Sequence, residues 1–483
     1  MSYTLHAHAH SCCEIRGKRH SLLCDPWLLG SAYWRSWWNF PPQESLESLL
    51  SIWSQLDTLY VYITHLHWDH FHGPTLKRLI KQLDNIHFLL PLTPERRLSN
   101  DLRQIIKSIP LTELSHARFY YLAPSFRVLS FQSGPFFADS ALFVDAGGSK
   151  ILNANDSKFG RMAFRDLLRK TGSPMYALRS HSSANYRACK KNLDGSPYLY
   201  PADKSGAVYS SEFFEFCSQA GASYAVPFAS NICYLHRETF EHNSLLNSSD
   251  VAVEYCSNTF QNKSTSPLLL LPGESISLIS HQICKSAWRR NLLSRDRVQV
   301  LSEYAQSKSS CLNKQYIIED KAVPNLRAIK SYLSSVIKYC PFPIRLYLRR
   351  HVYIHIKSER VSLFVYLDFL SKSLRFLDVC PTFSGSDVCF VIHPFVINDV
   401  CRSSHFNSLG VSKRLSVLAR QGNNRDAVFN YLCNTYEAEG ILDPSVLISL
   451  RFWVVWMRRL PEVFDMLFLV LRSVALSAIR RFK

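Results

Sequence analysis

Short apolar runs and helical spacings follow one another along the first half of the chain. The runs at 12–15 and 21–24 flank the polar residues 16–19, a pattern that predicts a β-hairpin. Residues 59–63 are typical of a buried strand, and residues 74–83 have helical spacing after a proline at the first turn. Further strands are predicted at 86–90, 127–131, 140–144, 150–152 and 222–226, and further helices at 159–170 and 211–220. This order predicts an α/β fold whose sheets carry helices on their outer faces.

The second half divides into a connector and a smaller unit. Residues 256–266, rich in Ser, Asn, Thr and Gln, are typical of a boundary loop, and a mostly helical connector is predicted over 274–338. Beyond residue 341 the pattern predicts strands at 352–356, 362–369, 373–377 and 388–392 and a helix at 425–439. Because 483 residues exceed what one core usually serves, we expect a first domain over 1–255, a linker and helical connector over 256–340, and an α+β domain over 341–483.

Composition narrows the class of protein. A hydrophobic content of 47% with 16 Gly indicates a folded globular chain. Residues 1–7 lack the basic start and apolar core of a signal peptide. The 14 Cys form neither a compact ladder of spacings nor a CxxC pair, so we expect reduced thiols, a cytoplasmic location, and no cysteine-based zinc or iron–sulfur site.

The formal net charge of +18 raises the question of an acidic partner. Basic residues are scattered or lie in the second half without a nucleic-acid-binding motif, so we expect no nucleic-acid partner. At the carboxyl end, an apolar run over 463–476 is interrupted by Asp465 and Arg472 and preceded by Pro461, which argues against a spanning helix. Two interpretations stay open for this tail: a basic amphipathic helix in peripheral contact with a membrane, or a terminal helix packed on its own domain.

The most distinctive chemistry follows the predicted strand at 59–63. His65 and His67 are two positions apart, so in extended backbone they project to the same side and can hold one cation. Asp69 and His70 lie past the strand end and can turn to a second cation beside the first. The alternative is a polar loop with a chance cluster of histidines.

Residues 65–70 resemble the HxHxDH signature of the metallo-β-lactamase superfamily. The turn Asp25-Pro26-Trp27-Leu28 resembles the DPWL turn of its ascorbate-phosphate-lactonase-like branch, which is also found in the metallo-β-lactamase-like part of CMP-N-acetylneuraminate hydroxylases. The resemblance covers about the first half of the chain. It implies an αββα sandwich with a dinuclear metal site at an edge where strand ends meet, His65 and His67 on one metal, and Asp69 and His70 on the other.

The resemblance also implies further ligands. A carboxylate that bridges the metals follows a later strand in the family, and Asp156 matches that position; the alternative is an Asp that caps the helix predicted from 159. The usual middle His is absent, and Asp139 is a candidate oxygen ligand in its place. His236 is the candidate for the last family His, and His181 is an additional candidate. Fewer histidines and more carboxylates would make the site more suitable for iron than a fully imidazole zinc site.

An aromatic cluster over 33–42 follows the DPWL-like turn, close to where the family places its pocket. Trp34, Arg35 and Trp37 are candidates for the substrate pocket, because aromatic rings can stack on a substrate and a guanidinium can meet an anion. The alternative is that this cluster packs beneath the second domain.

Together these features predict a metal-dependent hydrolase. A hydroxide bound to two divalent ions, zinc first and iron or manganese as alternatives, would attack a small-molecule ester, lactone, amide or phosphodiester, with Asp69 and His70 in the catalytic site. A non-heme diiron oxygenase on the same fold is the competing hypothesis. A third hypothesis, a lipid-binding or membrane adaptor with a secondary metal site, comes from a resemblance of the last domain to sterol-carrier-like modules.

Overall fold

The computed structural model describes residues 2–437 apart from 43–44, 94–96, 133–138, 183–185 and 199–205, and isolated positions between 448 and 468. The strands are β1 Thr4–Ala7, β2 Cys13–Arg16, β3 His20–Cys24, β4 Ser31–Ala32, β5 Trp37–Asn39, β6 Thr58–Tyr62, β7 Ile86–Pro91, β8 Leu111–Leu114, β9 Phe119–Ala123, β10 Phe126–Gln132, β11 Ser140–Ala146, β12 Ser149–Asn155, β13 Tyr176–Ser180, β14 Lys190–Lys191, β15 Tyr224–Phe228, β16 Ile232–Tyr234, β17 Ser266–Pro267, β18 Glu274–Ser277, β19 Ile283–Cys284, β20 Val352–Lys357, β21 Ser362–Asp368, β22 Ser373–Leu377, β23 Val388–Ile392 and β24 Leu415–Ala419. The α-helices are α1 Leu46–Trp53, α2 Gly73–Gln82, α3 Arg97–Ile106, α4 Arg161–Thr171, α5 Gly206–Gln219, α6 Ser249–Thr259, α7 Ala287–Ser294, α8 Arg297–Ser307, α9 Ser309–Asp320, α10 Leu326–Tyr339, α11 Phe342–Leu348, α12 Pro394–Ser403, α13 Asn407–Ser412 and α14 Arg425–Glu437.

Two facing sheets form a sandwich in the first part of the chain. Their strand orders are β19-β18-β1-β2-β3-β6-β7-β8 and β17-β15-β13-β12-β11-β10-β9. Buried apolar side chains of both sheets meet between them, among them Leu22 and Tyr62 of the first sheet and Val144 and Leu178 of the second. Helices α1, α2 and α3 cover the outer face of the first sheet, and α4, α5 and α6 cover that of the second. The predicted αββα sandwich is therefore confirmed.

Parallel strands bring several carboxyl ends to one edge of this sandwich. In the first sheet β3, β6 and β7 run parallel to one another. In the second sheet β12, β13 and β15 do the same. The residues that follow β3, β6, β12 and β13 therefore lie near each other, as expected for a ligand-binding edge.

The sandwich extends beyond the boundary predicted at residue 255. Strand β17 pairs with β15, and β18 pairs with β1, so that Leu5 lies opposite Ile276. Residues 274–277 are thus a strand, where the sequence predicted the start of a helical connector, and α6 continues to Thr259, into the predicted boundary loop. The physical reason is that β1 has an open edge, which β18 satisfies with backbone hydrogen bonds from far along the chain.

The last domain contains the sheet β14-β24-β23-β20-β21-β22. The predicted strands from 352 to 392 and the helix from Arg425 are present, whereas β24 and α12 were not predicted. Strand β14 comes from the first half of the chain, and Lys190 lies opposite Val417. Trp34 and Trp37 share one hydrophobic core with this domain. The sandwich and the last domain therefore pack together as neighbours.

Three further sequence predictions concern the surface and the thiols. All 14 cysteines are free thiols, as predicted. No helix in the described part of the chain is long and apolar enough to cross a membrane. In the tail, residues 469–483 lie outside the described residues, and apolar side chains at the described positions, such as Met457, Phe464 and Phe468, are exposed. The membrane contact of the tail stays a prediction.

Candidate metal centre

The candidate ligands lie at the edge of the sandwich where strands end. His65 and His67 follow β6, Asp156 follows β12, and Asp69 and His70 lie in the turn before α2. Helix α2 begins after His72, whose ring accepts a hydrogen bond from the Thr75 backbone N–H. His72 is therefore a helix cap, and the ligands precede the helix.

The first group contains His65, His67 and Asp156, whose candidate ligand atoms all lie within 4.8 Å of one another. Nε2 of His65 is 2.7 Å from Nδ1 of His67 and 3.7 Å from Oδ2 of Asp156. The other carboxylate oxygen of Asp156 is buried and has no hydrogen-bond partner among the described residues. Helix α4 begins at Arg161 with Gly160 as its cap, so Asp156 is not the helix cap considered as the alternative. Its bridging role stays a prediction.

The second group contains His10, Asp69 and His70, which are buried and also lie within 4.8 Å of one another. Oδ2 of Asp69 is 2.9 Å from Nε2 of His10 and 3.2 Å from Nε2 of His70. His10 was missed by the sequence analysis. The signal that could have revealed it is the alternation of His6, His8 and His10, which repeats the spacing of His65 and His67.

The two groups are adjacent. The ring centroids of His65 and His70, one from each group, are 4.1 Å apart. Each group therefore offers two imidazoles and one carboxylate, and together they can hold a pair of neighbouring cations.

The electrostatics favour the ligand forms of four side chains, namely Asp156, Asp69, His65 and His67. Burial opposes ionisation of Asp156, but His65 and the neighbouring imidazoles outweigh it and lower its pKa to about 2. Burial also opposes the charge of Asp69, but His70 holds the pKa of Asp69 well below its ordinary value. Burial and the neighbouring imidazoles lower the pKa of His65 and of His67. Ionised carboxylates beside neutral imidazoles are what a cation requires.

His70 behaves differently because two carboxylates face it. Burial lowers its pKa, but Asp69 and Asp25 outweigh burial and raise the pKa of His70 well above its ordinary value. Because a metal-bound imidazole is neutral, a cation on His70 would displace the extra proton of its ring.

Asp25 supports the second group from behind. It is fully buried, has a positive φ of 45°, and its Oδ2 lies 3.0 Å from Nδ1 of His70. Its carboxylate also accepts hydrogen bonds from the Thr64 backbone and hydroxyl at 2.8 Å and from the Asn155 amide at 2.6 Å. This arrangement orients the His70 ring with Nε2 toward Asp69, as carboxylates behind metal-bound histidines do. The turn that contains Asp25 is recognisable in the sequence, whereas the role of Asp25 behind His70 is visible only in the structure.

The aromatic cluster contacts both the centre and the last domain. The Tyr33 hydroxyl donates a hydrogen bond to Oδ1 of Asp69. The indole N–H of Trp34 donates to Asp399 at 2.9 Å, and that of Trp37 donates to the Val411 carbonyl at 3.1 Å. Trp34 and Trp37 thus pack beneath the last domain, which is the alternative that the sequence left open. Arg35 is half-buried with its guanidinium 3.5 Å from the Ser31 hydroxyl, and the pocket role of these three residues stays a prediction.

The remaining candidates lie outside both groups. Asp139 precedes β11 near Asp156, and burial together with that carboxylate raises the pKa of Asp139 to about 6. His181 follows β13 and is fully buried. Neither of its ring nitrogens makes a hydrogen bond to a side chain among the described residues. His236 is turned toward the connector, with Nε2 3.1 Å from Glu319. The structure does not bring His236 to the centre.

The last domain covers one side of the centre. Trp68, between His67 and Asp69 in sequence, lies 5.3 Å from the ring of His405. Arg97 at the start of α3 donates to the carbonyls of Ser403 and Glu437 at 2.9 and 2.6 Å. These contacts join the sandwich to the last domain beside His67, so the last domain helps to shape access to the metal ligands.

Known proteins are similar in sequence to part of this chain. No protein-family model matches it. It is 31% identical over 153 residues to cytidine monophosphate-N-acetylneuraminic acid hydroxylase from Sus scrofa, covering 30% of this chain and 33% of that protein. The enzyme of the same name from Pongo pygmaeus is 32% identical over 153 residues, with 30% and 25% covered. The Danio rerio enzyme is 35% identical over 79 residues, with 16% and 12% covered.

Solved structures of low sequence identity also match the chain, and two of them illustrate the similarity. A metallo hydrolase from Ignicoccus hospitalis has a TM-score of 0.39 and 15% identity, covering 57% of this chain and 98% of that one. A point mutant of CmlA beta-hydroxylase has a TM-score of 0.36 and 15% identity, covering 57% and 53%. The chain spans at most about a third of the length of the curated relatives named above. Over the matched stretch it is similar to the hydroxylases that the sequence motifs implied.

Proposed function

We propose that this chain is a metal-dependent enzyme whose dinuclear iron centre serves an oxygenase reaction on a small molecule. The observation that carries this proposal is the composition of the two groups, each of which contains two histidines and one carboxylate. Two imidazoles and one carboxylate with open positions are the ligand set typical of non-heme iron oxygenases. The name of the relatives, hydroxylase, supports the same reaction class.

Bound iron would supply the activation of dioxygen. The chain's own residues would position the ligands and limit the access of water. Asp25 fixes the ring of His70, and Tyr33 holds one oxygen of the Asp69 carboxylate by a hydrogen bond. Trp68 and the last domain shield the side of His67. The electrons that hydroxylation consumes would come from an external carrier.

The relatives' name also contains a substrate, cytidine monophosphate-N-acetylneuraminic acid. We leave the substrate of this chain at the level of a small molecule, because the similarity covers 30% of the chain and a pocket depends on side chains outside the metal ligands.

A hydrolase is the second candidate, and it was the first prediction from sequence. Asp156 supports it, because one oxygen of this first-group carboxylate is buried and has no hydrogen-bond partner among the described residues. Two zinc ions held by these residues would supply an activated water for hydrolysis of an ester, lactone, amide or phosphodiester. The adaptor hypothesis rests on the tail and the last domain and stays a prediction.

The experiment that tests the proposal is elemental analysis with an optical spectrum, on protein purified without added metal and without chelator. The oxygenase predicts about two iron ions per chain, a near-ultraviolet absorption band that bleaches on reduction, and oxygen uptake when a reductant is added. About two zinc ions, no such band and no oxygen uptake would favour the hydrolase. A His67→Ala variant is the internal control, because metal held by this centre must decrease in it.

A further inference from the structure

Helix α11 of the last domain exposes apolar side chains. Ile344 and Leu348 of this helix pack on the hydrophobic core. Phe342 and Leu346 are four positions apart and therefore share the opposite face, and the Phe342 side chain is 65% exposed. The helix thus directs an apolar face away from the core, toward solvent.

Neighbouring segments extend this apolar face. Tyr339 is the last residue of α10, three positions before Phe342. The Phe369 backbone N–H donates to the Arg349 carbonyl at 2.8 Å, which places the next residue, Leu370, beside the end of α11. The α11 patch consists of five apolar residues, each at least 40% exposed, namely Tyr339, Phe342, Leu346, Tyr347 and Leu370. Exposed apolar patches with a polar rim are typical of interaction surfaces.

Basic side chains form the rim of the α11 patch. They belong to Lys338, Arg349, Arg350, Lys372 and Arg425. The guanidinium carbon of Arg425 lies 4.9 Å from the centre of the Tyr347 ring. Of these five cations, Arg350 alone has an ion pair in the described part of the chain, with Asp368 at 3.0 Å. The patch therefore combines exposed apolar side chains with an excess of positive charge.

The chain beyond α14 begins beside the α11 patch. Tyr436, in the last turn of α14, stacks with Tyr339, and their ring centroids are 5.9 Å apart. Farther along, exposed apolar residues recur every three or four positions, at Met457, Leu460, Phe464, Leu467 and Phe468. Residues 448–483 contain seven Lys or Arg and two Asp or Glu. This segment thus has the same two features as the patch, exposed apolar side chains and a net positive charge.

The chemistry of the patch distinguishes among partners. At an anionic bilayer, apolar side chains enter the boundary between headgroups and acyl chains while Lys and Arg attract the headgroups. A second copy of this chain would carry the same net charge of +18 and would repel the patch. A nucleic acid would attract the cations, but the aliphatic Leu346 and Leu370 cannot stack on its bases. The anionic bilayer is the partner that uses both features.

We propose that the α11 patch docks the protein on the surface of an anionic phospholipid bilayer. Phe342 and Leu346 would lie in the headgroup region, and the basic rim would contact the lipid phosphates and carboxylates. The amphipathic segment that follows α14 would add a second contact from a neighbouring start point. The docking is independent of the reaction that the metals serve, because none of the six grouped ligands belongs to the patch.

The test is co-sedimentation of the full chain with vesicles of phosphatidylcholine alone and of phosphatidylcholine mixed with phosphatidylserine. We expect binding to the mixed vesicles to be stronger by about tenfold or more, because several cations gain attraction to the added charge. Added salt should weaken this binding, since it screens exposed charges. Equal binding to the two kinds of vesicle, or no binding to either, would overturn the proposal.

Variants identify the apolar part of the surface. The double variant Phe342→Ser, Leu346→Ser should weaken binding to the mixed vesicles by about tenfold or more, because it removes the side chains that enter the bilayer. Tyr121→Ser, at an exposed residue of β9 in the sandwich, is the matched control and should leave binding unchanged. Loss of binding in Phe464→Ser, Phe468→Ser but not in the α11 variant would contradict the assignment to α11.

A charge variant tests the basic rim. Arg349→Gln should weaken binding to the mixed vesicles by about fivefold, whereas Arg103→Gln, at an exposed position of α3, should not change it. Circular dichroism and metal content check folding, and Arg349→Gln keeps the test decisive if the double variant does not fold. Equal effects of Arg349→Gln and Arg103→Gln would contradict the role of the rim. A dimer without vesicles that the double variant dissociates would assign the face to a second copy and overturn the proposal.

Discussion

Nε2 of His10 lies 2.9 Å from Oδ2 of Asp69, although 59 positions separate the two residues in sequence. The same carboxylate oxygen is 3.2 Å from Nε2 of His70. The turn between the first two strands therefore supplies a third ligand atom beside two that belong to the signature. This relationship makes the second metal position testable apart from the first.

Replacing His10 tests that position. His10→Ala should lower the metal content by about one ion per chain, because only a carboxylate and one imidazole of the second group remain. The measurement is elemental analysis after dialysis. His87→Gln is the matched control, since His87 lies on β7 and contacts Thr112 at 2.8 Å. An unchanged metal content in His10→Ala would show that His10 only supports Asp69 by a hydrogen bond.

Asp25 contacts the ligand His70 and is expected to affect metal affinity without binding the metal itself. Asp25→Asn should weaken metal binding by about 10–100-fold, because the amide no longer supports His70 as a charged carboxylate does. A competition titration against a chromophoric chelator measures this affinity. Asp57→Asn, at an exposed carboxylate paired with Arg19, is the control. Equal affinity in the wild type and Asp25→Asn would mean that the charge of Asp25 is not needed to hold His70.

His236 was predicted from the sequence as a metal ligand, but in the structure it lies away from the metal centre. Its Nε2 lies 3.1 Å from Glu319, and Glu319 lies 2.9 Å from Nη2 of Arg414. We expect His236→Ala to keep its full metal content and to lose stability, because the substitution leaves part of a buried polar network unpaired. Elemental analysis and urea unfolding on the same preparation give both readouts. Loss of metal without loss of stability would restore His236 as a ligand.

The same network should hold the sandwich, connector and last domain together. The Arg414 side chain is fully buried between Glu319 of α9 and Glu238, which follows β16. Arg414→Met should destabilise the fold by about 3–5 kcal/mol, because two carboxylates lose their buried partner. Arg237→Met, at an exposed pair with Asp320, should change the free energy of unfolding by about 1 kcal/mol or less. Similar urea midpoints for the two variants would contradict this role.

The pKa of Glu319 predicts how the free energy of unfolding changes at acidic pH. Burial opposes its charge, but His236 and Arg414 outweigh burial and lower its pKa from 4.5 to about 2. Since the pKa is lower in the folded state, this contribution is fully present above about pH 4.5 and is lost as the pH falls toward 2. Urea midpoints measured between pH 6 and pH 3 should fall less steeply in Glu319→Gln than in the wild type. Equal slopes of urea midpoint against pH in the two proteins would show that Glu319 does not control acid stability. Glu303→Gln, at an exposed carboxylate, is the control.

Local patterns were sufficient for part of the centre. His65, His67, Asp69 and His70 lie within six positions of one another, and backbone periodicity alone places the first two on one side of a strand. Asp156 was found because the family places a carboxylate after a strand, and a strand was predicted over 150–152. In the same way, most strands and helices of the sandwich follow from their own hydrophobic periods.

The other ligands and strand pairings could not be predicted from local patterns. They depend on which strand edges pair and which buried charges meet in the folded chain. His10 and Asp25 approach His70 only when β1, β3 and β6 align at one edge, and no spacing in the sequence records that distance. His236 occupies the position expected for a ligand, yet a buried glutamate and arginine of later segments hold it instead. Strands 274–277 and 190–191 join sheets far from them in sequence because open sheet edges require partners. Local patterns therefore predict the elements and the signature ligands, whereas the remaining ligands, the supporting residues and the domain contacts follow only from contacts between distant segments.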